Sequence, residues 1–178
     1  NMDSTIIVYD DYAGKTPDIN TFNSQTIEIL PRDFRAMNLT FENDARPEGS
    51  GTGQNVAVSS YGDRTVFLHC RFISWQDTYS TGADGRHYFK DCFIEGAVDY
   101  IFGHTTAIFD SCQIHTVRSG GYKTAASTKE GYAFGYVFFN SRLTSPPDVT
   151  GVWLGRPWKT YARTVFFQCV EYESIQAL

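Results

Sequence analysis

The sequence lacks any long apolar run and any cluster of basic residues. Its longest apolar stretches are a few residues, far below the roughly 20 that a membrane-spanning helix requires. Lys and Arg number 15 against 20 Asp and Glu, which gives a net charge of -5 and no basic patch to follow a phosphate backbone. No leader of basic and then apolar residues opens the sequence, so the compartment cannot be read directly. These features exclude membrane spanning and nucleic-acid binding from the expected functions.

Cysteine is scarce and has no metal-ligand spacing. The four cysteines form no CxxC pair and no Cys/His pattern suited to zinc, so we expect core thiols and no metal site. The four histidines are scattered without a surrounding motif, and structural or surface roles are expected for His69, His87, His104 and His115.

The residues that are abundant favour strands. A chain of 178 residues with 42% hydrophobic residues has the size and apolar content of one domain with a buried core. Aromatic and β-branched residues are frequent, and turn residues interrupt them about every ten positions, which predicts many short strands.

A repeat emerges when the sequence is aligned with itself. Each copy has an aromatic residue, then Cys or a substitute three positions later, then an apolar residue two positions further on. The copies are Phe34-Met37-Leu39, Phe67-Cys70-Phe72, Phe89-Cys92-Ile94, Phe109-Cys112-Ile114, Phe138-Ser141-Leu143 and Phe166-Cys169. The leading aromatics lie 33, 22, 20, 29 and 28 residues apart.

Repeats of this length, made of strands and turns without helices, predict a solenoid in which each unit is one coil and equivalent residues stack. The variable intervals fit, because loops can leave a coil at its corners without moving the strands. Chance recurrence of Phe-x-x-Cys in a Phe-rich sequence is the alternative, and six registered copies disfavour it. We therefore predict an all-β fold, a parallel β-helix.

Equal positions on neighbouring coils predict contact, because hydrogen-bonded strands lie about 4.8 Å apart. Seven residues past the Cys landmark stand Asp77 and Asp99, which we expect to face each other. The same count gives Asp44 and Ser119 on the flanking coils. An inward ladder of thiols is expected at Cys70, Cys92 and Cys112, and a disulfide between the last two stays open, since it depends on compartment and geometry.

Two carboxylates this close repel each other, so either one keeps its proton or a cation lies beside them. A protonated Asp can act as general acid while an ionised neighbour acts as nucleophile or base. The alternative is a solvated pair of surface aspartates. Asp99 interrupts an apolar strand, where an unpaired charge is costly. Three other residues have side chains suited to such a site. Arg156 offers a planar guanidinium for a carboxylate, Trp158 offers a surface for a sugar ring, and Gln54 adds an amide.

Four strings carry a specific resemblance. GQNVAV (53–58), QDTY (76–79), GAVDYIFG (96–103) and LGRPWK (154–159) resemble the signature segments of pectin methylesterases, in the family's order and approximate spacing. Shorter agreements at FEN (41–43), TAA (124–126) and YARTV (161–165) extend the resemblance over nearly the whole chain.

The resemblance implies a right-handed parallel β-helix that hydrolyses galacturonate methyl esters of pectin and releases methanol, without a cofactor. It also implies the roles of the catalytic residues, which are Asp99 as nucleophile, Asp77 as acid/base, Gln54 and Gln76 as oxyanion donors, and Arg156 as the group that orients Asp99. Substrate contacts are implied at Trp158, Val98, Phe102 and Arg118. The implied partner is methylated homogalacturonan, bound by a secreted monomer in the cell wall or periplasm, and binding of a proteinaceous inhibitor is left open.

The sequence departs from the family pattern in places that spare the chemical groups. Tyr79-Ser80 stands where Leu-Tyr is common, Tyr100 replaces Phe, and Ala97 replaces Thr, so we expect subsite preferences to differ before activity does. The family's catalytic domain begins earlier and continues past Leu178. We therefore expect one catalytic domain over residues 1–178 that is incomplete at both ends and lacks terminal coils or caps.

Two rival functions remain at this level. A polygalacturonase or another glycosidase would also use a close carboxylate pair, in a retaining mechanism. A non-catalytic carbohydrate-binding solenoid would explain the stacked aromatics without using either aspartate. A serine hydrolase is disfavoured because no GxSxG sequence occurs.

Overall fold

The structure is a computed structural model that describes residues 2–45, 53–82 and 84–172. In this part of the chain the regular structure is nineteen short strands and one turn of 3-10 helix at Thr21–Asn23. No helix among the described residues is both long and apolar enough to cross a membrane. The strands form three parallel sheets of seven, six and six strands.

The first sheet contains β1 (Ile6–Tyr9), β4 (Thr40–Asn43), β7 (Arg71–Ile73), β10 (Phe93–Gly96), β13 (Gln113–Thr116), β16 (Arg142–Thr144) and β19 (Val170–Tyr172). The second sheet contains β2 (Ile27–Ile29), β5 (Val58–Ser60), β8 (Tyr79–Thr81), β11 (Ile101–Gly103), β14 (Gly121–Ala126) and β17 (Val152–Pro157). The third sheet contains β3 (Arg35–Met37), β6 (Thr65–Leu68), β9 (Arg86–Lys90), β12 (Thr106–Asp110), β15 (Tyr136–Phe139) and β18 (Thr164–Phe167).

The order of the strands defines the coil. The chain passes through the first, second and third sheets in turn and then returns beside its own starting strand, so three strands make one coil. Parallel strands linked by such crossovers wind right-handedly. The fold is therefore a right-handed parallel β-helix, and the prediction of an all-β solenoid is confirmed.

A column of stacked phenylalanines fills the interior. Register pairs place the leading aromatics of five coils in one line, namely Phe67, Phe89, Phe109, Phe138 and Phe166. Successive ring centroids lie 5.1, 4.5, 4.5 and 4.5 Å apart. The first copy of the predicted repeat is wrong, because Ala36 and not Phe34 pairs with Phe67. Phe34 instead packs obliquely against the Phe67 ring, with the centroids 6.0 Å apart.

One left-handed residue turns each coil from the third sheet into the first. These residues have φ between 50° and 58° and are Asn38, His69, Asp91, Ser111, Asn140 and Gln168. The cysteines of the predicted thiol ladder directly follow three of these residues, and their burial is confirmed. The Cys92 and Cys112 thiols donate to the carbonyls of Phe67 and Phe89 in the preceding coil, at 3.5 and 3.7 Å. All four cysteines are free thiols in this structure.

Two positions extrapolated from the repeat are wrong. Asp44 lies directly after β4, where its N–H donates to the Tyr9 carbonyl, because the count began at Met37, whereas Thr40 pairs with Arg71 and Leu39 is therefore the residue equivalent to Cys70. Ser119 lies in the connection between β13 and β14, because the chain has three more residues between Thr116 and Thr124 than between their partners Gly96 and Ile101. Consequently Tyr122, and not Ser119, lies opposite Asp99.

Candidate active site

The two aspartates occupy the same corner of successive coils, where the first sheet turns into the second. An isolated parallel bridge joins Gln76 to Val98, and the Asp77 N–H donates to the Val98 carbonyl at 3.2 Å. Both aspartates adopt the left-handed conformation, with φ of 68° for Asp77 and 52° for Asp99. Asp tolerates this conformation better than most residues. The corner therefore turns both carboxylates onto the outer side of the β-helix, one above the other.

Asp77 is the aspartate whose charged form is disfavoured. Its residue is 7% exposed, and burial is the largest cause that raises the pKa of its carboxyl to about 8. The neighbouring Asp99 charge raises the pKa further, while Arg156 opposes both effects. Asp77 therefore holds a proton at neutral pH and can donate it.

Asp99 is held by a guanidinium. The Nε of Arg156 lies 3.0 and 3.1 Å from the two carboxylate oxygens of Asp99, and Nη2 lies 2.6 Å from Oδ2. This two-point, charge-assisted contact fixes the orientation of the carboxylate. In return, hydrogen bonding to Asp99 raises the pKa of Arg156.

Strand β14 supports both partners of this ion pair. The Tyr122 carbonyl accepts a hydrogen bond of 2.6 Å from the Asp99 N–H, and the Tyr122 ring lies 5.9 Å from Cζ of Arg156. The next strand of this sheet is β17, where Arg156 pairs with Ala125 of β14. Asp99 and Arg156, 57 positions apart in sequence, thus meet across the coil of β14, which lies between theirs.

A cleft of about 240 Å³ opens above the two carboxylates. It is lined by Gln54, Gln76, Asp77, Asp99, Arg156, Trp158 and Phe102, all predicted site residues, together with Thr21, Phe22 and Ala125. The Trp158 and Phe102 rings meet edge to face, with centroids 5.9 Å apart. The cleft therefore combines polar side chains with an aromatic wall formed by Trp158 and Phe102.

The two glutamines are placed by backbone contacts that involve a buried asparagine. The Asn55 N–H donates to the Gln76 carbonyl, and the Gln76 N–H donates back to the Asn55 side chain, both at 3.0 Å. The Gln54 carbonyl accepts from the Ala13 N–H at 2.8 Å. Asn55 is fully buried and was not singled out from the sequence, although it lies inside the GQNVAV string.

Two predicted substrate contacts lie outside this cleft. Val98 is half-buried beside Gln76, and Arg118 is exposed in the connection between β13 and β14. Phe22, by contrast, was missed. It lies on the 3-10 helix and is 55% exposed, and because it belongs to no repeat or motif the sequence did not indicate it.

Fold and site together define a parallel β-helix protein with a paired-aspartate cleft on its side. The sequence model of the family described as Pectinesterase matches residues 1–177. The chain belongs to the pectinesterase family.

Individual relatives agree with this membership. Pectinesterase 31 of Arabidopsis thaliana is 43% identical over 154 residues, which are 86% of this chain and 47% of that protein. Pectin methylesterase from Yersinia enterocolitica superposes with a TM-score of 0.87 at 30% identity, covering 98% of this chain and 68% of the other. A pectin methylesterase in complex with hexasaccharide VII has a TM-score of 0.83 at 30% identity, covering 96% and 63%. The chain thus spans about half the length of the curated relative.

Proposed function

We propose that this chain carries the catalytic site of a pectin methylesterase, which hydrolyses galacturonate methyl esters of pectin and releases methanol. The observation that carries the proposal is the asymmetry of the aspartates: Asp77 is buried with a pKa of about 8, while Asp99 lies in a two-point contact with Arg156. Similar proteins are named pectinesterases, and one similar structure holds a hexasaccharide, which supports a pectic polysaccharide as substrate.

In the first half-reaction, an ionised Asp99 oxygen attacks the ester carbonyl carbon. The carbon–methoxide bond breaks as Asp77 gives its proton to the methoxide oxygen, and methanol leaves. The product is an anhydride between Asp99 and the galacturonate carboxyl, with Asp77 now ionised.

In the second half-reaction, Asp77 accepts a proton from water while the water oxygen attacks the galacturonyl carbon of the anhydride. The bond to Asp99 breaks, which restores its carboxylate and the proton on Asp77. The sum is one ester and one water converted into one carboxylic acid and one methanol, and no cofactor enters the balance.

The side chains of Gln54 and Gln76 line the same cleft as both carboxylates. We assign their amide N–H groups to the oxyanion that forms at the ester carbonyl in each half-reaction. A donor of this kind typically lowers the barrier by about 3–4 kcal/mol.

The aromatic wall of the cleft fits a sugar ring. Trp158 and Phe102 offer adjacent faces of different orientation, and Phe22 adds a third ring to the lining of the cleft. We assign all three to substrate binding, and Val98 and Arg118 stay predictions for sugar units beyond this cleft. Because pectin is a wall polymer, we also propose that the protein acts outside the cytoplasm, as a monomer.

The test compares two products from two substrates. Highly methylated pectin and fully demethylated polygalacturonate are each incubated with the protein, and both methanol and new reducing ends are measured. An esterase releases methanol from the first substrate only and makes no reducing ends from either. New reducing ends would favour a glycosidase, and binding without any product would favour a carbohydrate-binding solenoid.

Asp91→Asn serves as a matched control for Asp77→Asn. Asp91 is also an aspartate with positive φ at a corner of the β-helix, but it is exposed and lies outside the cleft. Asn tolerates the left-handed conformation, so both substitutions keep the backbone. Methanol release that falls in Asp77→Asn and persists in Asp91→Asn supports the proposed role of Asp77. Equal release from both variants contradicts that role.

A further inference from the structure

A buried lysine lies behind the paired aspartates, and the proposed mechanism does not use it. Lys123 on β14 is fully buried. Its Nζ donates to the Thr116 hydroxyl at 2.6 Å and to the Tyr100 hydroxyl at 3.3 Å, and these two hydroxyls share a hydrogen bond of 2.8 Å. An amine in the interior of a β-helix is costly unless its donors are satisfied. These three side chains therefore form a hydrogen-bonded polar cluster in the interior of the β-helix.

The cluster is adjacent in sequence to both supports of the ion pair. Tyr100 directly follows Asp99, and Lys123 directly follows Tyr122, whose carbonyl and ring contact the Asp99 N–H and the Arg156 guanidinium. The outer face of this corner thus holds Asp99 and Arg156, while the inner face is tied together by the ammonium group.

We infer that Lys123 is a positioning residue, whose ammonium fastens Tyr100 and Thr116 to β14 and thereby fixes Asp99 relative to Arg156. The residue types support this role. The Tyr100 hydroxyl is one of the two groups that the Lys123 ammonium contacts. Gly96 leaves room for the Tyr100 side chain, because a Cβ on Gly96 would collide with it. The inference rests on the proposed esterase function, since the residues that it positions are the proposed nucleophile and its arginine.

The test uses two variants and one control. Lys123→Met removes the ammonium and keeps the length of the side chain, while Tyr100→Phe removes one hydroxyl without changing the ring. Ser141→Ala removes a buried hydroxyl that bonds the Phe109 and Phe139 carbonyls at 3.0 and 3.1 Å, at a corner outside the cleft. All three are expected to lower Tm, so Tm alone does not separate positioning from stability.

Kinetics separate the two roles. In Lys123→Met, kcat for methanol release is expected to fall about tenfold with KM within about twofold, because small misplacements of reacting groups lower the rate more than binding. Tyr100→Phe is expected to lower kcat by less, again with little change in KM, and Ser141→Ala leaves both kcat and KM unchanged.

A readout that needs no turnover completes the test. The Arg156 Nε–H bonds both oxygens of Asp99, so its exchange with solvent, followed by NMR, is expected to accelerate in Lys123→Met and in Tyr100→Phe. Unchanged exchange in both variants would overturn the inference whether or not the wild type releases methanol. Faster exchange in a protein that releases no methanol would support the inference about geometry and overturn only the esterase. If Lys123→Met does not fold, the exchange rate of the Arg156 Nε–H in Tyr100→Phe tests the inference by itself.

Discussion

Replacing Arg156 with Met should remove most of the activity while leaving the fold intact. The guanidinium makes a two-point, charge-assisted contact with a carboxylate whose side chain is only 8% exposed, but the Arg156 side chain itself is 42% exposed. Breaking a fully buried ion pair costs about 3–5 kcal/mol, and hydrogen bonds to charged groups contribute about 1.5–3 kcal/mol. Because Arg156 is partly exposed, we expect the loss of this contact to cost about 2–3 kcal/mol. At about 1.4 kcal/mol per factor of ten, this cost corresponds to an about 30- to 150-fold loss in kcat/KM.

The assay is methanol release from highly methylated pectin, after circular dichroism shows that each variant is folded. Arg64→Met is the matched control, because Arg64 contacts both oxygens of Asp33, at 2.5 and 2.6 Å, on the exposed surface. That exposed pair contributes little, so the control should stay within about twofold of wild type. Arg156→Met activity as high as that of Arg64→Met would refute the reasoning.

The remaining predictions concern the acid, the aromatic wall and the core. Because burial raises the pKa of Asp77 to about 8 from an ordinary value of 3.8, folding takes up a proton and wild-type stability falls as pH rises between these values. Asp77→Asn should therefore raise Tm over wild type at pH 8 and not below pH 4. An equal Tm difference at both pH values would contradict the raised pKa of Asp77. Wild-type kcat/KM should also fall as pH rises through about 8, because Asp77 then loses the proton that it donates. Trp158→Ala should raise KM for methylated pectin by about 3- to 10-fold with little change in kcat, and an unchanged KM would remove Trp158 from the binding surface. Phe109→Ala deletes a fully buried ring stacked 4.5 Å from both Phe89 and Phe138, so urea unfolding should show a loss of about 3–5 kcal/mol, and a loss below about 1 kcal/mol would refute the packing argument.

The repeat predicted the parts of the fold that depend on strand register. The five leading aromatics from Phe67 to Phe166 stack because a parallel coil returns each equivalent residue to the same line. The first copy failed because Phe34, Met37 and Leu39 imitate the pattern two residues out of register, while the actual partner of Phe67 is the small Ala36. Composition cannot distinguish these two alignments, since both bury apolar side chains.

The site was predictable wherever the coil carries no insertion. Asp77 and Asp99 stand seven residues after Cys70 and Cys92, and both connections have the same length, so the count placed them on one corner. The count failed for Asp44 because it began two residues out of register, and for Ser119 because the chain has three more residues between Thr116 and Thr124 than between their partners Gly96 and Ile101. Phe22 and Asn55 were not predicted as site residues, since a loop from an earlier coil and a buried side-chain bridge leave no periodic signal in the sequence.

Methanol release by Asp99→Asn tests the central claim most directly. Asn keeps the corner conformation at φ 52° and the hydrogen bond to the Tyr122 carbonyl, but it cannot attack an ester carbonyl as a carboxylate. We expect methanol release by the folded wild type and by Asp91→Asn, and a loss of at least about a thousandfold in Asp99→Asn. Asp99→Asn with activity close to that of wild type would contradict the assignment of Asp99 as nucleophile.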